Sequence, residues 1–199
     1  IPQYKLFYSQ SDRQMKEFQK EFGVKTKFLV KCGTFDENKI HQNVNQPIQV
    51  VYAGKLYCNR WKTLKMLAEA IGKVNNDYGK TMIQLNIYTA DDITKKQDRV
   101  LNDGVHSIIH GCVPATELPS IYEKSDIVLH VESFDKKNRL LTQDSFSTKV
   151  MDCLASGCAV MALCWEGHAA YQYLKKMNAA ITASSNEEIY LKVRKLVQN

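Results

Sequence analysis

From Ile48 to the end of the chain, short apolar runs alternate regularly with longer amphipathic segments. The short runs have the length and residue content of buried strands, while the longer segments repeat apolar residues at helical spacing. This alternation predicts an α/β fold, in which a mostly parallel sheet carries helices on both faces through right-handed crossovers. The predicted strands are 48–53, 83–88, 107–109, 127–131, 159–163 and 180–183, and the predicted helices are 60–76, 93–102, 115–124, one after Asp144, 168–177 and one from 186.

The sheet also predicts where a ligand binds. In open parallel sheets, ligands lie beyond the carboxyl ends of the strands, at the point where the strand order reverses. Four loops meet that requirement, and they follow Ala53, Ile109, Val131 and Leu163.

The first 47 residues have a different pattern. A short strand is predicted at 4–8 and another at 28–30, on either side of an amphipathic helix that Ser11 caps and Gly23 ends. Residues 32–47 are polar and irregular, which is typical of a boundary. We therefore expect a hinge segment at 1–47, packed on a domain that spans 48–199.

Composition narrows the class of protein. The sequence contains no apolar run of membrane-spanning length and no signal-peptide pattern, so a soluble, cytoplasmic protein is expected. The formal net charge of +6 is spread along helix faces among acids, which favours a solvated surface over a nucleic-acid site. A basic face toward the inner side of an anionic membrane is the functional alternative. No Cys-x-x-Cys pair occurs, so the cysteines are interpreted as reduced packing residues: Cys32, Cys58, Cys112, Cys153, Cys158 and Cys164.

The stretch Asp144 to Gly157 is predicted to open a helix directly after a strand and a polar loop. Ser145, Ser147 and Thr148 can cap its start, and Gly157 is placed to end it. Free amides and the positive end of the dipole make such a start an anion site, and Lys149 adds a cation.

Two other turns follow predicted strands. Gly54 allows close approach of the backbone, and Lys55 and Arg60 bracket the turn before the next helix, a pattern that suits phosphate but also an ordinary solvated surface. The turn His110 to Pro114 can present main-chain groups to a flat ring or be a plain turn. Asp144 and Asp152 either face one crevice together or only cap and complement the helix dipole.

Taken in order, these motifs resemble the C-terminal, nucleotide-sugar-binding lobe of the group 1 glycosyltransferases, which have the GT-B fold. The resemblance extends from about Ile48 to Ala183. Here a lysine and an arginine exchange places relative to the family pattern, and two aspartates stand for glutamates that are one methylene longer. The motifs that carry the resemblance are Gly54-Lys55 with Arg60, His110-Gly111-Cys112-Val113-Pro114, Ser125-Asp126-Ile127-Val128-Leu129, Asp144-x7-Asp152 and Leu154-Ala155-Ser156-Gly157.

The resemblance implies a Rossmann-like lobe and a role for each motif. Lys55 and Arg60, beside Gly54, would hold the diphosphate of a sugar nucleotide and stabilise the charge that grows on it as the glycosyl bond breaks. Asp144 would lie against the donor sugar, and Asp152 would accept hydrogen bonds from ribose. Amides around Ser147, Thr148 and Lys149 would assist at the diphosphate, and the main chain of Cys112 and Val113 would contact the base. His130 to Ser133 would border the same crevice without a defined role.

The implied function is donor binding in a retaining hexosyltransferase of polysaccharide or glycolipid assembly. The donor would be a nucleotide diphosphate sugar, with UDP as the first choice, and no prosthetic group or metal is expected. Family members carry an N-terminal lobe for the carbohydrate or lipid-linked acceptor, so this chain is expected to be an excised C-terminal lobe with little activity alone. The alternatives are a non-catalytic nucleotide-sugar-binding protein and a sugar-nucleotide 2-epimerase of the same architecture.

Overall fold

A computed structural model describes residues 6–29, 36 and 44–198 of the chain. Its largest element is a six-stranded sheet in the order β5-β4-β3-β6-β7-β8, in which every neighbouring pair is parallel. The order reverses between β3 and β6, where Val50 pairs with Ile127 and Val51 pairs with Val128. The six strands are β3 (Ile48–Ala53), β4 (Ile83–Tyr88), β5 (Ser107–Gly111), β6 (Ile127–Val131), β7 (Ala159–Leu163) and β8 (Ile181–Ala183).

Helices cover both faces of this sheet, and the strands show why. Along β6, Leu129 packs in the core on the side of α2 (Arg60–Tyr78) and α8 (Asn186–Leu196), while Val128 packs with Cys153 of α6 (Lys149–Ala155) on the other. All five residues of β6 are buried, as expected for a central parallel strand. The remaining helices of the sheet domain are α3 (Lys95–Leu101), α4 (Leu118–Glu123), α5 (Lys136–Thr142) and α7 (Ala169–Lys176).

The α/β prediction is confirmed, and four of the six predicted strands have the predicted bounds. A polar loop was predicted between β6 and Asp144, and this is wrong in part, because the segment contains helix α5. The buried Asn138 explains that helix locally, since its amide donates to Ser133 Oγ at 3.5 Å and to Asp135 Oδ2 at 3.4 Å. These bonds tie the first turn of α5 to the chain that leaves β6.

The N-terminal segment forms a two-stranded parallel sheet, β1 (Tyr8–Ser9) and β2 (Lys27–Phe28), with α1 (Asp12–Phe22) between the strands. Ser11 caps α1 by accepting a hydrogen bond from the Gln14 amide, and Gly23 ends it in the left-handed conformation, as predicted. Both strands are shorter than predicted. The expected strand residues 4, 5 and 30, and most of the polar stretch at 32–47, lie outside the described residues, and the domain boundary near 47 stays a prediction.

Among the described helices, none combines the length and the apolar character needed to cross a bilayer.

Candidate functional site

A crevice of about 300 Å³ opens beyond the carboxyl ends of β3 and β6, at the reversal point of the strand order. It therefore lies where parallel sheets of this kind bind ligands. Three segments form its walls: the end of β3 with its loop, the end of β6, and the start of α6. The lining residues are Tyr52, Lys55, Tyr57, Arg60, Leu129, His130, Val131, Glu132, Ser147, Thr148 and Lys149.

The loop after β3 passes the crevice at Gly54. A Cβ placed there would collide with Lys149 Nζ and would lie 2.9 Å from Tyr52 Oη, so only glycine fits without movement. Tyr52 is buried and donates to the Lys55 carbonyl at 2.6 Å, and burial raises the pKa of its hydroxyl. A bond from the Leu56 amide to Asp91 Oδ2, at 2.6 Å, holds the other side of the turn.

Arg60 begins α2 and forms a two-point ion pair with Glu132. Its Nε lies 3.0 Å from Oε2 and its Nη2 lies 2.9 Å from Oε1. Only 15% of the Arg60 side chain and 2% of the Glu132 side chain are exposed. Burial lowers the pKa of Arg60, but the hydrogen bonds and charge of Glu132 outweigh that effect and raise it, so the guanidinium stays charged. Burial raises the pKa of Glu132, and Arg60 opposes that rise.

Lys149 and Lys55 are the cations of the crevice that are not committed to a carboxylate among the described residues. The Lys149 ammonium lies 5.8 Å from the centre of the Tyr52 ring, in a cation–π arrangement. Burial, and then the charge of Arg60, lower the pKa of Lys149. The Lys55 side chain is exposed at the mouth. These two ammonium groups can accept an anionic ligand without breaking an ion pair with a described residue.

The start of α6 differs in detail from the prediction. Thr148 occupies the cap position with helical φ and ψ and makes no side-chain cap bond, while Ser147 Oγ accepts from the Lys149 amide at 3.3 Å. The helix ends at Ala155, two residues before Gly157, which adopts a positive φ of 83°.

The two aspartates of the predicted pair do not line the crevice. Asp144 forms an ion pair with Arg13 of α1, at 2.9 Å between Oδ1 and Nε, and its carbonyl accepts from Ser11 Oγ. Asp152 lies in the first turn of α6 with an exposed side chain. The structure thus brings together Gly54, Lys55, Arg60, Ser147, Thr148 and Lys149, and it places Asp144 and Asp152 outside that group.

Cys112 and Val113, the predicted contacts to the base, follow β5 and also lie outside the crevice lining. The adjoining His110 stacks on Tyr88, with ring centroids 4.6 Å apart, and its Nε2 lies 2.7 Å from Asn86 Oδ1. Burial lowers the pKa of His110. Two strand positions separate this turn from the crevice, since β5 pairs with β4 and β4 with β3.

Sequence reasoning gave no role to Glu132, the most buried charged group of the site. The sequence feature that could have identified it is its position directly after β6, where an acidic residue follows five buried strand residues. Thr63 holds the same point from α2 by donating to the Glu132 carbonyl at 2.9 Å.

Next to Glu132 on the sheet lies a buried group of His130, Cys164 and His168. Burial lowers the pKa of His130 to about 3 and that of His168 to about 4, so both imidazoles are neutral at physiological pH. Cys164 was interpreted as a packing residue, and burial raises the pKa of its thiol.

Comparison with solved structures shows the same fold in several other proteins. The GtfA/B complex matches with a TM-score of 0.66 at 15% identity, over 98% of this chain and 39% of the other. WaaG, a glycosyltransferase involved in lipopolysaccharide biosynthesis, matches with a TM-score of 0.61 at 13% identity, over 96% of this chain and 53% of the other. The "Trehalose-6-phosphate" structure from E. coli, bound with UDP-2-fluoro glucose, matches with a TM-score of 0.63 at 10% identity, over 98% and 53%.

The chain thus spans 39 to 53% of the length of these structures, and their likeness to it is one of fold. No match among curated proteins was found. The sequence model of the family described as "Glycosyl transferase-like" matches residues 41–199, which is most of the chain. The strand order, the crevice at its reversal point and this match lead to one conclusion: the chain belongs to the glycosyl transferase-like family and forms a Rossmann-like lobe of the group 1, GT-B type.

Proposed function

We propose that this chain binds a nucleotide diphosphate sugar and acts as the donor-binding part of a glycosyltransferase. The observation that carries the proposal is the crevice between β3 and β6, a single cavity of about 300 Å³ that Lys55, Arg60 and Lys149 line together. A diphosphate is the ligand group that needs several cations at one point. UDP is the first choice of nucleotide, and the UDP-containing structures among the similar proteins support it.

The three cations have different parts in this proposal. Lys55 and Lys149 would contact the phosphate oxygens directly, because neither has a carboxylate partner among the described residues. Arg60 would act mainly through Glu132, which fixes its position, and would contribute its outer face. Ser147 and Thr148 would add hydroxyl and amide donors, and Gly54 would let the phosphates approach the backbone.

The charge of these groups suits the reaction as well as binding. When a glycosyl bond to a nucleotide diphosphate breaks, negative charge develops on the departing phosphate. Cations that are already in place stabilise that charge without reorganisation. The proposed transfer retains the configuration of the sugar, as the family resemblance implies, and it uses an acceptor that is a carbohydrate or a lipid-linked sugar, held by a lobe that precedes this one.

The base and ribose extend away from the cations in this proposal. Cys112 and Val113 lie two strands from β3, which corresponds to roughly 10 Å at the usual strand spacing. A nucleotide that runs across the carboxyl ends of β3, β4 and β5 would place its base there. The proposed contact of Asp152 with the ribose comes from the family resemblance, since α6 packs against β6, on the other side of β3. Both contacts remain part of the proposal.

The position of Asp144 favours a second candidate, a non-catalytic nucleotide-sugar-binding protein. Asp144 is the acid that the resemblance places against the donor sugar, but it forms an ion pair with Arg13 instead. A chain in which that pair persists would bind the donor without assisting transfer. Donor hydrolysis or transfer by the protein together with an acceptor-binding lobe distinguishes the two candidates.

Titration calorimetry with UDP, GDP, ADP and TDP, and with the matching sugar nucleotides, tests the proposal. Replacing Lys55 or Lys149 by alanine should weaken UDP binding by about 1.5–3 kcal/mol each, the scale of hydrogen bonds to charged groups. Lys192→Ala, on the exposed surface of α8, is the control and should have no effect. Unchanged affinity in both crevice variants would remove the diphosphate assignment.

The ribose contact has its own test. Asp152→Ala should reduce affinity more for UDP than for inorganic pyrophosphate, because the proposed partner is a sugar hydroxyl. Equal losses for the two ligands would assign Asp152 a structural role in α6.

A further inference from the structure

Three potential metal ligands converge in the interior beside the crevice. His130 belongs to β6, Cys164 follows β7 directly, and His168 precedes α7. One ligand atom from each lies within 4.8 Å of those from the other two. The three residues are 3%, 0% and 0% exposed. The group is therefore enclosed by protein, and one of its members, His130, also lines the crevice.

The hydrogen bonding of this group is incomplete. His130 Nε2 is buried and has no hydrogen-bond partner among the described residues. His168 Nε2 is also buried and makes no well-formed hydrogen bond, although the backbone of Thr142 interacts with this ring. A buried polar atom without a partner is unfavourable, and most such atoms in folded proteins are paired. The His130 and His168 rings are neighbours, with centroids 5.9 Å apart, and neither Nε2 atom has a well-formed hydrogen bond. Together with the buried thiol, these two nitrogens could share one partner.

We propose that His130, Cys164 and His168 bind one zinc ion, through two imidazole nitrogens and a thiolate. Nitrogen and thiolate ligands are those that zinc prefers, and a set of three protein ligands leaves a fourth position open. Since His130 also lines the crevice, the fourth position faces that side and would be filled by water. The proposed site lies behind Glu132 and is separate from the diphosphate contacts of Lys55 and Lys149.

The distances fit a site that closes around the ion. Zinc lies about 2.0–2.3 Å from nitrogen and sulfur ligands, so ligand atoms around it are about 3.5 Å apart. A separation of up to 4.8 Å requires movements of about 1 Å or less, which side-chain rotations supply. Binding replaces the Cys164 S–H bond by a zinc–sulfur bond and releases that proton to solvent.

Coordination of zinc by His168 would break the hydrogen bond that this residue now makes with the backbone. Its Nδ1 accepts a hydrogen bond from the Ala170 amide at 3.2 Å, which caps α7. Coordination through Nε2 moves the ring proton to Nδ1, so this bond is given up. The Ala170 amide is thus a second reporter of metal binding, independent of the metal's own spectrum.

Cobalt titration of the reduced, metal-free 199-residue chain tests the proposal, because Co²⁺ takes zinc sites and reports its ligands by absorption. We expect one Co²⁺ per chain, a thiolate-to-cobalt charge-transfer band, and displacement by Zn²⁺. Cys164→Ser should abolish the band and weaken Zn²⁺ binding by more than the roughly 10–100-fold that the loss of an outer-shell partner causes. His168→Gln should weaken it similarly.

Two other cysteines provide matched controls. Cys153→Ser changes a thiol that is also buried but lies in α6, and Cys112→Ser changes an exposed one. Both variants should keep the cobalt band. A band that survives in Cys164→Ser, or disappears in Cys112→Ser, would overturn the proposal.

X-ray absorption of the zinc-loaded wild-type chain covers the case in which a variant fails to fold. One sulfur and two imidazole nitrogens per zinc are expected, and a shell without sulfur contradicts the site. The result is independent of the proposed function, since UDP calorimetry on the metal-free chain tests the crevice cations separately.

Discussion

At the scale of single residues, Arg60 and Lys149 are both cations of one crevice, but they interact with different kinds of partner. Arg60 satisfies a carboxylate that is 2% exposed, whereas Lys149 packs on an aromatic ring. Removing one partner of a buried ion pair leaves the other charge without compensation, which is more harmful than losing an exposed pair. Variants of Arg60 therefore report on folding before they report on phosphate binding.

We expect Arg60→Ala to lower the free energy of unfolding by about 3 kcal/mol, because Glu132 then stays buried and unpaired. Urea denaturation measures the change. Adding Glu132→Gln to this variant should restore part of the loss, since the amide carries no charge. Lys62→Ala is the control, because it breaks the more exposed pair with Asp135 and should change stability by less than about 1 kcal/mol. Equal effects of Arg60→Ala and Lys62→Ala would contradict the assignment.

Gly54→Ala should weaken UDP binding and destabilise the protein by about 1–3 kcal/mol. The new Cβ meets Lys149 Nζ, which can move away from the phosphates, and Tyr52 Oη, which is held by its bond to the Lys55 carbonyl. Calorimetry with UDP and thermal unfolding measure the two effects. Gly72→Ala is the control: its Cβ has an ordinary 3.7 Å contact with His106, so it should stabilise α2 by about 1 kcal/mol and leave UDP binding unchanged.

At the scale of elements, the turn between α3 and β5 depends on one carboxylate. Asp103 Oδ1 accepts from the amides of Val105, His106 and Ser107, at 2.9, 2.7 and 3.0 Å. Partial burial raises the pKa of Asp103, but the three backbone hydrogen bonds together outweigh it, and the net pKa is lowered. The stabilisation is therefore present above the unfolded pKa of aspartate and is lost as the pH falls through the lower, folded pKa.

Asp103→Asn keeps an acceptor at this turn but removes its charge. We expect a loss of about 1 kcal/mol at pH 7, since hydrogen bonds to charged groups are the stronger ones. The difference from the wild type should shrink as the pH drops below the folded pKa of Asp103. Denaturation at a series of pH values measures it, with Asp77→Asn, at an exposed site in α2, as the control. A difference that does not depend on pH would show that charge has no part in it.

The helices and strands differ in how well the sequence predicts them. β3, β4, β6 and β7 are predictable to the residue, because each is a short, mainly apolar run between polar turns, in which Gln49, Gln84, Asn86 and His130 are the only polar members. Helix α5 is not, because Asn138 and Asp135 stabilise it through contacts with Ser133 rather than through an apolar stripe. Local spacing predicted Lys55 with Arg60, and Lys149, at two separate strand-to-helix turns, and the family resemblance predicted that both turns serve one diphosphate. Local spacing did not predict Glu132 as the partner of Arg60, since that pair joins residues far apart in sequence.

At the scale of the whole molecule, Arg13 links the N-terminal segment to the sheet domain. Its guanidinium pairs with Asp144 and donates to Gln143 Oε1 at 2.7 Å and to the Gly167 carbonyl at 3.3 Å. Helix α1 itself has no buried residue, so apolar packing holds it only weakly. The ion pair that holds Asp144 therefore comes from the N-terminal segment, which lies outside the six-stranded sheet.

Arg13→Ala should speed amide exchange in α1 while the free energy of global unfolding changes by about 1 kcal/mol or less, because the pair is partly exposed. Hydrogen-exchange mass spectrometry measures this, with peptides from α8 as the internal control. Asp144→Asn should have the same effect if the tether is its main role. Unchanged exchange in α1 would mean that other contacts hold the segment in place.

The pairing of β3 with β6 has a consequence for folding order. Each half of the sheet, β5-β4-β3 and β6-β7-β8, joins strands that follow one another along the chain. The pairing of Val50 with Ile127 instead brings together residues that are far apart in sequence, with β4 and β5 between them. Contacts between distant parts of the chain form late, because their loop must close first. The crevice lies on that seam and exists only when the two halves have joined. A ligand bound there would contact both halves, so it would oppose their separation and stabilise the joined state without setting the rate at which the halves meet.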